Sequence, residues 1–258
     1  LVGPDNNTAL AVYGGDLKGN LWRFDLDASS STYYTAVKVA SLSVGGLGVT
    51  PQPITVRPEL TLIGTHRVMF VGTGKFLGVS DPGTTTQQAI YAISDDLTGN
   101  AAVTSLTPLV QQTLTTDPVA QTRTITNNTV DWSSATVRGW YVNLPDTGER
   151  VTVDPVVQLG TLAVATNVPN TDTCTAGGTA WLLSMDVSSG SVITSTTPIA
   201  QRIASSLVVG LNIIQLPSGT VKAIITTQDN SQLTRDVPVV PTNYSGQRVT
   251  WRELDTTQ

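Results

Sequence analysis

The sequence VYGGDLKGNLWRFDLD at residues 12–27 places two short apolar runs on either side of a polar, glycine-rich centre. The glycines of that centre suit a tight turn, because glycine adopts positive φ without steric cost. Apolar β-formers on both sides of such a turn predict a β-hairpin. Trp22, Phe24 and Leu26 share one parity in its second half, and polar residues take most of the other. We therefore expect the aromatic side chains to face a core and the polar ones to face solvent.

The same order of elements recurs twice further along the chain, in residues 67–96 and 161–186. Each unit runs from an apolar strand through a glycine turn to an aromatic-bearing strand with an acidic end. The equivalent aromatic residues are Trp22, Tyr91 and Trp181, and the acidic residues that follow them are Asp25, Asp95 and Asp186. Such distant self-similarity, with almost no helical periodicity, predicts an all-β fold. The specific prediction is a modified β-propeller, present in part as several blades of antiparallel strands.

The segment between the second and third units has a different character. Residues 98–138 are rich in Thr, Gln and Asn and weakly patterned, so we interpret them as a variable insertion. Residues 139–144 then read as a short strand, and residues 149–157 read as its hairpin partner across a Pro-Asp-Thr-Gly turn.

Composition limits the function classes. The chain has 258 residues, a net charge of -5 and only 13% charged residues, and this length fits one all-β domain or two small ones. The acidic balance, without a visible basic patch, argues against nucleic-acid binding. No apolar run approaches the length of a membrane span. The single cysteine, Cys174, excludes a disulfide within the chain; it is either a free thiol or a partner for a cysteine elsewhere.

Seven segments together resemble the C-terminal domain of the PilY1/PilC family, which are large adhesins and assembly factors of bacterial type IV pili. They are YGGDLKGNLWRFDL (13–26), PQPITVRPEL (51–60), VMFVGTGKFL (68–77), GWYVNLPDTGERV (139–151), DPVV (154–157), CTAGGTAWLLSMD (174–186) and VTWREL (249–254). They follow the family's order and span nearly the whole chain. The resemblance implies that residues 1–258 form the later part of the family's C-terminal propeller domain.

The resemblance also implies a function. It points to a non-enzymatic protein at the pilus tip that supports pilus biogenesis and surface adhesion. The implied partners are minor pilins of the tip complex and a host or abiotic surface. The implied location is extracellular, at the cell surface and pilus tip, with outer-membrane association as a further option. Residues 98–138 and 167–176 are the expected contact surfaces, because loops on a rigid scaffold usually carry binding.

Calcium is the one cofactor that the resemblance suggests. Family members often bind Ca²⁺ in an acidic loop just before the YxGDLxGNLW strand, and residues 4–10 stand at that place here. Ca²⁺ needs several oxygen ligands at alternate loop positions, and Asp5 is the only charged residue available. Asp5 and Asn7 are therefore candidate ligands, but we favour an Asx turn over a metal site. Calcium binding remains an expectation for the complete protein, and no other cofactor is visible.

The other polar candidates have structural interpretations. Asp16 is expected to cap backbone amides in the hairpin turn, and the three repeated aspartates to close turns locally within their own blades. His66 is the only histidine and is expected in an exposed loop, because no Cys/His cluster surrounds it.

Two alternative functions stay open at this point. A quinoprotein-like propeller enzyme would use similar tryptophan strands, but the single cysteine and the lack of an acidic cluster argue against it. A carbohydrate-binding propeller would show aromatic and Asn/Asp pockets in every blade, whereas the aromatic residues here are expected to face the core.

Overall fold

The computed structural model describes residues 9–46, 50–97, 102–171, 177–193, 198–203 and 206–240, and its regular structure is almost entirely β. Two short 3-10 turns lie at Val44–Gly46 and Asp81–Gly83. The described strands are β1 (Ala11–Gly15), β2 (Asn20–Asp25), β3 (Ala36–Ser41), β4 (Glu59–Ile63), β5 (His66–Gly72), β6 (Ala89–Ser94), β7 (Leu109–Gln112), β8 (Leu114–Asp117), β9 (Thr122–Ile125), β10 (Gly139–Asn143), β11 (Val156–Gln158), β12 (Thr161–Pro169), β13 (Gly178–Asp186), β14 (Ala200–Ile203), β15 (Val208–Gln215), β16 (Val221–Thr227) and β17 (Gln232–Asp236).

The strands form four sheets that follow one another along the chain. The first has the order β1-β2-β3 and the second β4-β5-β6-β10-β7. The third has the order β11-β12-β13-β14-β9-β8 and the fourth β15-β16-β17. Every pairing is antiparallel except that of β7 with β10.

Successive sheets pack face to face through three apolar clusters. Leu21 of the first sheet packs with Tyr91 of the second, in one cluster. Trp140 of the second packs in another cluster, which contains residues of β12 and β13. Along β12, Leu162 belongs to this second cluster, whereas its neighbour Ala163 belongs to the third, which includes the fourth sheet. Both faces of the central strands are thus buried, which explains their near-continuous apolar sequences.

The repeat predicted from the sequence is confirmed in three dimensions. β2, β6 and β13 are interior strands, and each pairs with the strand before it in its unit. Trp22, Tyr91 and Trp181 lie opposite Gly14, Val71 and Thr166. The fold is all-β, with four stacked sheets as the described part of a propeller. Within the described residues the sheets do not close into a ring, since each apolar cluster joins a sheet only to its successor.

The expected orientation of β2 is wrong. Leu21 and Arg23 face the core at 0% and 1% exposure, whereas Phe24 is 45% exposed and Leu26 36%. The reason is that carboxylates within reach neutralise the Arg23 charge on the inner side. The expected hairpin partner for residues 139–144 is also wrong, because β11 pairs with β12 of the next sheet.

Residues 102–138, the described part of the expected insertion, are more ordered than their composition suggests. They contain β7, which extends the second sheet, and the β8–β9 hairpin, which extends the third through β14. β6 and β10 remain antiparallel neighbours although this stretch separates them in sequence. This stretch is therefore inserted between two paired strands of the second sheet, as expected. It consists of strands that extend the second and the third sheet.

Among the described residues, no helix has the length and apolar character that a membrane span requires.

Candidate functional site

The connections at one end of the first two sheets meet around a cleft. The β1–β2 turn is organised by Asp16, whose Oδ1 accepts the backbone N–H groups of Lys18 and Asn20 at 2.8 and 2.9 Å. Its Oδ2 accepts the side-chain N–H groups of Asn20 and Trp22. Desolvation raises the pKa of Asp16, but these hydrogen bonds outweigh it and lower the pKa to about 2. Asp16 thus caps the turn, as the sequence predicts.

The segments that cross from one sheet to the next are held tightly against the preceding strand ends. Ile54 N–H donates to the Asp16 carbonyl at 3.0 Å, and Val151 N–H donates to the Thr73 carbonyl at 2.9 Å. A Cβ on Gly15 would lie 2.2 Å from Ile54, and one on Gly72 would lie 2.4 Å from Val151. Glycine at these two strand ends therefore permits both close approaches.

Arg150 organises the loop between β5 and β6, residues 73–88. Its side chain reaches back from the β10–β11 connection and is 3% exposed. Nη1 donates to the carbonyls of Lys75 and Asp81 at 3.0 and 2.6 Å, and Nη2 donates to that of Thr84 at 2.9 Å. Nε donates to the Gly148 carbonyl. A guanidinium thus occupies the centre of the loop and fixes its backbone.

Asp81 completes the loop. Its Oδ2 accepts the backbone N–H groups of Leu77 and Gly78, and its Oδ1 lies 2.9 Å from Lys75 Nζ. The Leu77 amide first, and then the Lys75 ammonium, lower the pKa of Asp81 to about 2. The carboxylate is therefore ionised at neutral pH and neutralises Lys75.

The β1–β2 hairpin, the segment that crosses from the first sheet to the second, and the loop of residues 73–88 together enclose a cleft of about 270 Å³. Its lining combines the apolar residues Leu17, Pro51 and Pro53 with polar groups of Lys75, Arg150 and Gln88. Sequence reasoning did not single out Arg150 or Gln88. The PDTGER motif contains Arg150, but nothing local indicates that its side chain enters a loop some 70 residues away.

The predicted metal candidates Asp5 and Asn7, and the thiol of Cys174, lie outside the described residues. His66 opens β5 and lies half-buried beside Trp132, with ring centroids 5.7 Å apart, so it is not the loop residue we expected. In the part of the chain that the structure describes, no group of three or more His, Cys, Asp or Glu side chains is arranged to hold a metal ion.

Two of the repeated aspartates meet, contrary to the expectation that each acts within its own blade. Arg23 Nε donates to Asp25 at 2.7 Å, and Nη1 donates to Asp95 of the second sheet at 2.7 Å. Tyr13 Oη also donates to Asp95. Asp186 behaves as predicted, since it accepts the backbone N–H groups of Ser188 and Ser189. The first two aspartates therefore join sheets around one arginine.

A second buried arginine fastens the insertion to the third sheet. Arg123 of β9 is 0% exposed and forms a bidentate pair with Glu149, at 2.7 and 2.9 Å. It also lies 2.7 Å from Asp146 and 3.9 Å from the centroid of the Trp181 ring. This part of the insertion is a structural clamp and not a free contact surface. In the second expected contact loop, Asn167 is also buried, exchanging hydrogen bonds with the backbone of Val208.

Comparison with known proteins gives a consistent result. The sequence profile described as the PilY1 beta-propeller domain matches residues 4–129. The chain is 28% identical over 242 residues to the type IV pilus biogenesis factor PilY1 of Pseudomonas aeruginosa (strain UCBPP-PA14), covering 72% of the chain. It is 31% identical over 232 residues to that of strain PAK, also over 72% of the chain. A PilY1 homolog of Xylella fastidiosa (strain Temecula1) is 28% identical over 74% of the chain.

The alignments cover 21%, 20% and 14% of these three relatives, so the chain corresponds to a minor part of their length. No solved structure matches the chain significantly. The profile match, the relatives and the repeated sheets agree with the resemblance found in the sequence. The chain therefore belongs to the PilY1 family and carries part of its β-propeller domain.

Proposed function

We propose that this chain is a non-enzymatic scaffold in the type IV pilus system, exposed at the cell surface and the pilus tip, where it supports pilus biogenesis and surface adhesion. The observation that carries the proposal is the name shared by its relatives, type IV pilus biogenesis factor PilY1, over 72% of the chain. The proposed partners are minor pilins of the tip complex and a host or abiotic surface.

The architecture supports a binding role over a catalytic one. Buried charges are used to join sheets, as with Arg23 and Arg123, and the strand aromatics Tyr91 and Trp181 are buried at 1% and 3% exposure. Such a stack offers a rigid platform from which connections protrude. Two of those connections carry highly exposed apolar residues, Val79 at 99% and Val119 at 92%.

The test is genetic complementation in the bacterium that encodes the chain. Deletion of the gene should reduce both the pilin released by shearing and attachment to surfaces, and the full-length gene should restore both. In the full-length protein, Val79→Asp combined with Val119→Asp should leave sheared pilin unchanged and reduce attachment. The matched control is Val209→Asp in β15, also at an exposed valine, which should leave both measurements unchanged. Normal piliation and attachment in the deletion strain would refute the proposal.

The quinoprotein alternative has a separate test. We expect the purified chain to show no quinone absorbance and no dye reduction with alcohols. A quinone absorbance band that copurifies with the chain would overturn the non-enzymatic assignment.

A further inference from the structure

The cleft between the β1–β2 turn and the loop of residues 73–88 has unused hydrogen-bonding capacity. A guanidinium has five N–H donors and an ammonium has three. Within the part of the chain that the structure describes, Arg150 makes four hydrogen bonds, to Gly148, Lys75, Asp81 and Thr84, and Lys75 Nζ has one partner, Asp81. One donor of Arg150 and two of Lys75 are therefore left for a ligand.

The charges of these groups do not cancel. Arg150 is held by four backbone carbonyls and has no carboxylate partner among the described residues, whereas the Asp81 carboxylate pairs with Lys75. Arginine stays protonated in proteins, and Asp81 stays ionised at neutral pH. The three groups therefore sum to one positive charge beside the cleft, in a chain whose net charge is -5. A single anionic group fits this balance.

Gln88 supplies an acceptor at the same place. Its side chain lines the cleft and is 4% exposed, and its Nε2 donates to the Thr86 carbonyl at 2.9 Å. This bond sets the orientation of the amide. Among the described residues, Oε1 of Gln88 is the one buried side-chain polar atom without a hydrogen-bond partner. A buried carbonyl oxygen without a donor costs free energy, so an N–H group that enters the cleft is favoured.

Three of the lining residues form an apolar wall of the cleft. Pro51 and Pro53 have fixed φ, and Leu17 is 57% exposed at the tip of the hairpin. The cleft volume of about 270 Å³ suits one or two amino-acid residues. An aliphatic side chain packed on this wall would remove apolar surface from water on both partners.

We propose that this cleft binds the carboxyl-terminal residue of a polypeptide. The terminal carboxylate takes the free donors of Lys75 and Arg150, the N–H of the last peptide bond donates to Gln88 Oε1, and an aliphatic last side chain packs on Leu17 and the two prolines. Binding is non-covalent and does not depend on the pilus role proposed above.

Other ligand classes fit less well. A metal cation would meet a net positive charge, and Asp81 already uses both carboxylate oxygens. A sugar ring usually stacks on an aromatic side chain, and none lines this cleft. A peptide terminus matches the carboxylate-binding donors, the unpaired acceptor and the apolar wall together.

The experiment is an NMR titration of the chain with two N-acetylated Gly-Ala-Leu-Val peptides, one with a free carboxylate and one with a terminal carboxamide. We expect shifts at Lys75, Gln88 and Arg150 with the free acid, and about tenfold weaker binding of the carboxamide, because charge-assisted hydrogen bonds are lost. Lys75→Gln should weaken binding of the acid about fivefold or more. The matched control is Lys222→Gln, which removes another lysine paired with an aspartate and should change nothing.

Gln88→Met separates binding from folding. It removes the unpaired oxygen together with the hydrogen bond to the Thr86 carbonyl, two opposing changes, so the free protein should keep a stability close to that of the wild type while the acid peptide binds more weakly. Equal binding of acid and carboxamide, or no binding by the wild type at millimolar peptide, would overturn the proposal. Acetate that binds as tightly as the peptide would also overturn it, since the cleft would then be a simple anion site.

Discussion

Arg23 and its two carboxylates form the polar centre of the interface between the first two sheets. Arg23, Asp25 and Asp95 are 1%, 4% and 5% exposed, and Tyr13 donates to the same cluster. Burial first, and then the Asp95 carboxylate, raise the pKa of Tyr13, so its hydroxyl remains a donor. Buried ion pairs of this kind stabilise the folded state little more than apolar residues of similar volume would. Loss of one partner is costly, however, because it leaves a buried charge unpaired.

We therefore expect Arg23→Met to lower the free energy of unfolding by about 3–5 kcal/mol, because Asp25 and Asp95 would stay buried without a cation. Denaturant unfolding measures this. The control is Arg57→Met, since the 69% exposed side chain of Arg57 also lies near two carboxylates, both at 3.9 Å. That change should cost about 1 kcal/mol or less. Equal losses in the two variants would contradict the assigned role of Arg23.

The hydrogen bonds at Asp16 predict an acid-sensitive turn. The pKa of Asp16 is lowered from 3.8 to about 2 in the folded protein. Its stabilisation is therefore fully present above pH 3.8 and is lost as the pH falls through about 2. A ¹³C NMR titration of the Asp16 carboxyl should give a midpoint near 2, and a midpoint at or above 3.8 would show that the turn contacts do not form.

Residue-level function was the hardest to predict from the sequence. Asp16 was identified correctly because its partners are within six positions. Arg23 and Arg150 were not, because their partners lie about 70 positions away and only the folded chain brings them together. A strict alternation rule also assigned Arg23 to solvent, since hydrophobicity alone cannot show that a buried charge is paired.

At the scale of elements, residues 102–138 act as a strap between the second and third sheets. β7 lengthens the second sheet, and β9 joins β14 in the third, where Arg123 is locked between Glu149 and Asp146. Trp132 and Gln112 add hydrogen bonds to the turn after β13. The strap thereby adds a second connection between two sheets that also pack face to face.

A change in the geometry of the Arg123 ion pairs should loosen β8 and β9 locally. Arg123→Lys keeps the buried charge but loses the planar fork, so β8 and β9 should separate from β14 more often. Hydrogen exchange of amides in β8 and β9 should rise about tenfold, whereas amides in β16 should change little. Arg202→Lys is the matched control, because the exposed Arg202 side chain of neighbouring β14 donates to the Gln121 side chain at the surface of the strap. Uniform acceleration in all sheets would contradict a local clamp.

Element prediction succeeded where burial on both faces leaves a continuous apolar sequence. β5, β6, β12 and β13 are such strands, and the sequence identifies all four. β7, β8 and β9 have four residues each and are rich in Thr and Gln, so no local pattern marks them. Their positions follow from pairing with distant strands, which a single sequence does not display.

At the scale of the whole molecule, the stack leaves an apolar outer face on the first sheet. Val12 and Phe24 lie opposite each other there, at 50% and 45% exposure, and Trp22 is covered in part by Lys38. The three repeated hairpin units were predictable from the sequence, but which face of β2 is covered was not.

This face predicts the behaviour of the isolated chain in solution. Phe24→Ser should change the free energy of unfolding by no more than about 0.5 kcal/mol, as expected for a surface position. It should also reduce self-association in sedimentation experiments, because less apolar surface is exposed. Phe70→Ser in the core is the comparison and should unfold the chain. A large loss of stability in Phe24→Ser would mean that Phe24 is buried in solution.

The strap between the second and third sheets determines how the protein carries load. The proposed role at the pilus tip would place the chain under tension, and tension applied through residues 10 and 240 acts directly on the two outermost sheets. Their three strands can peel away one hairpin at a time, whereas the middle sheets share β7 to β9 and must rupture together. In a force–extension trace, small early steps should precede one large release. The second and third sheets would then be the last part of the chain to unfold under force.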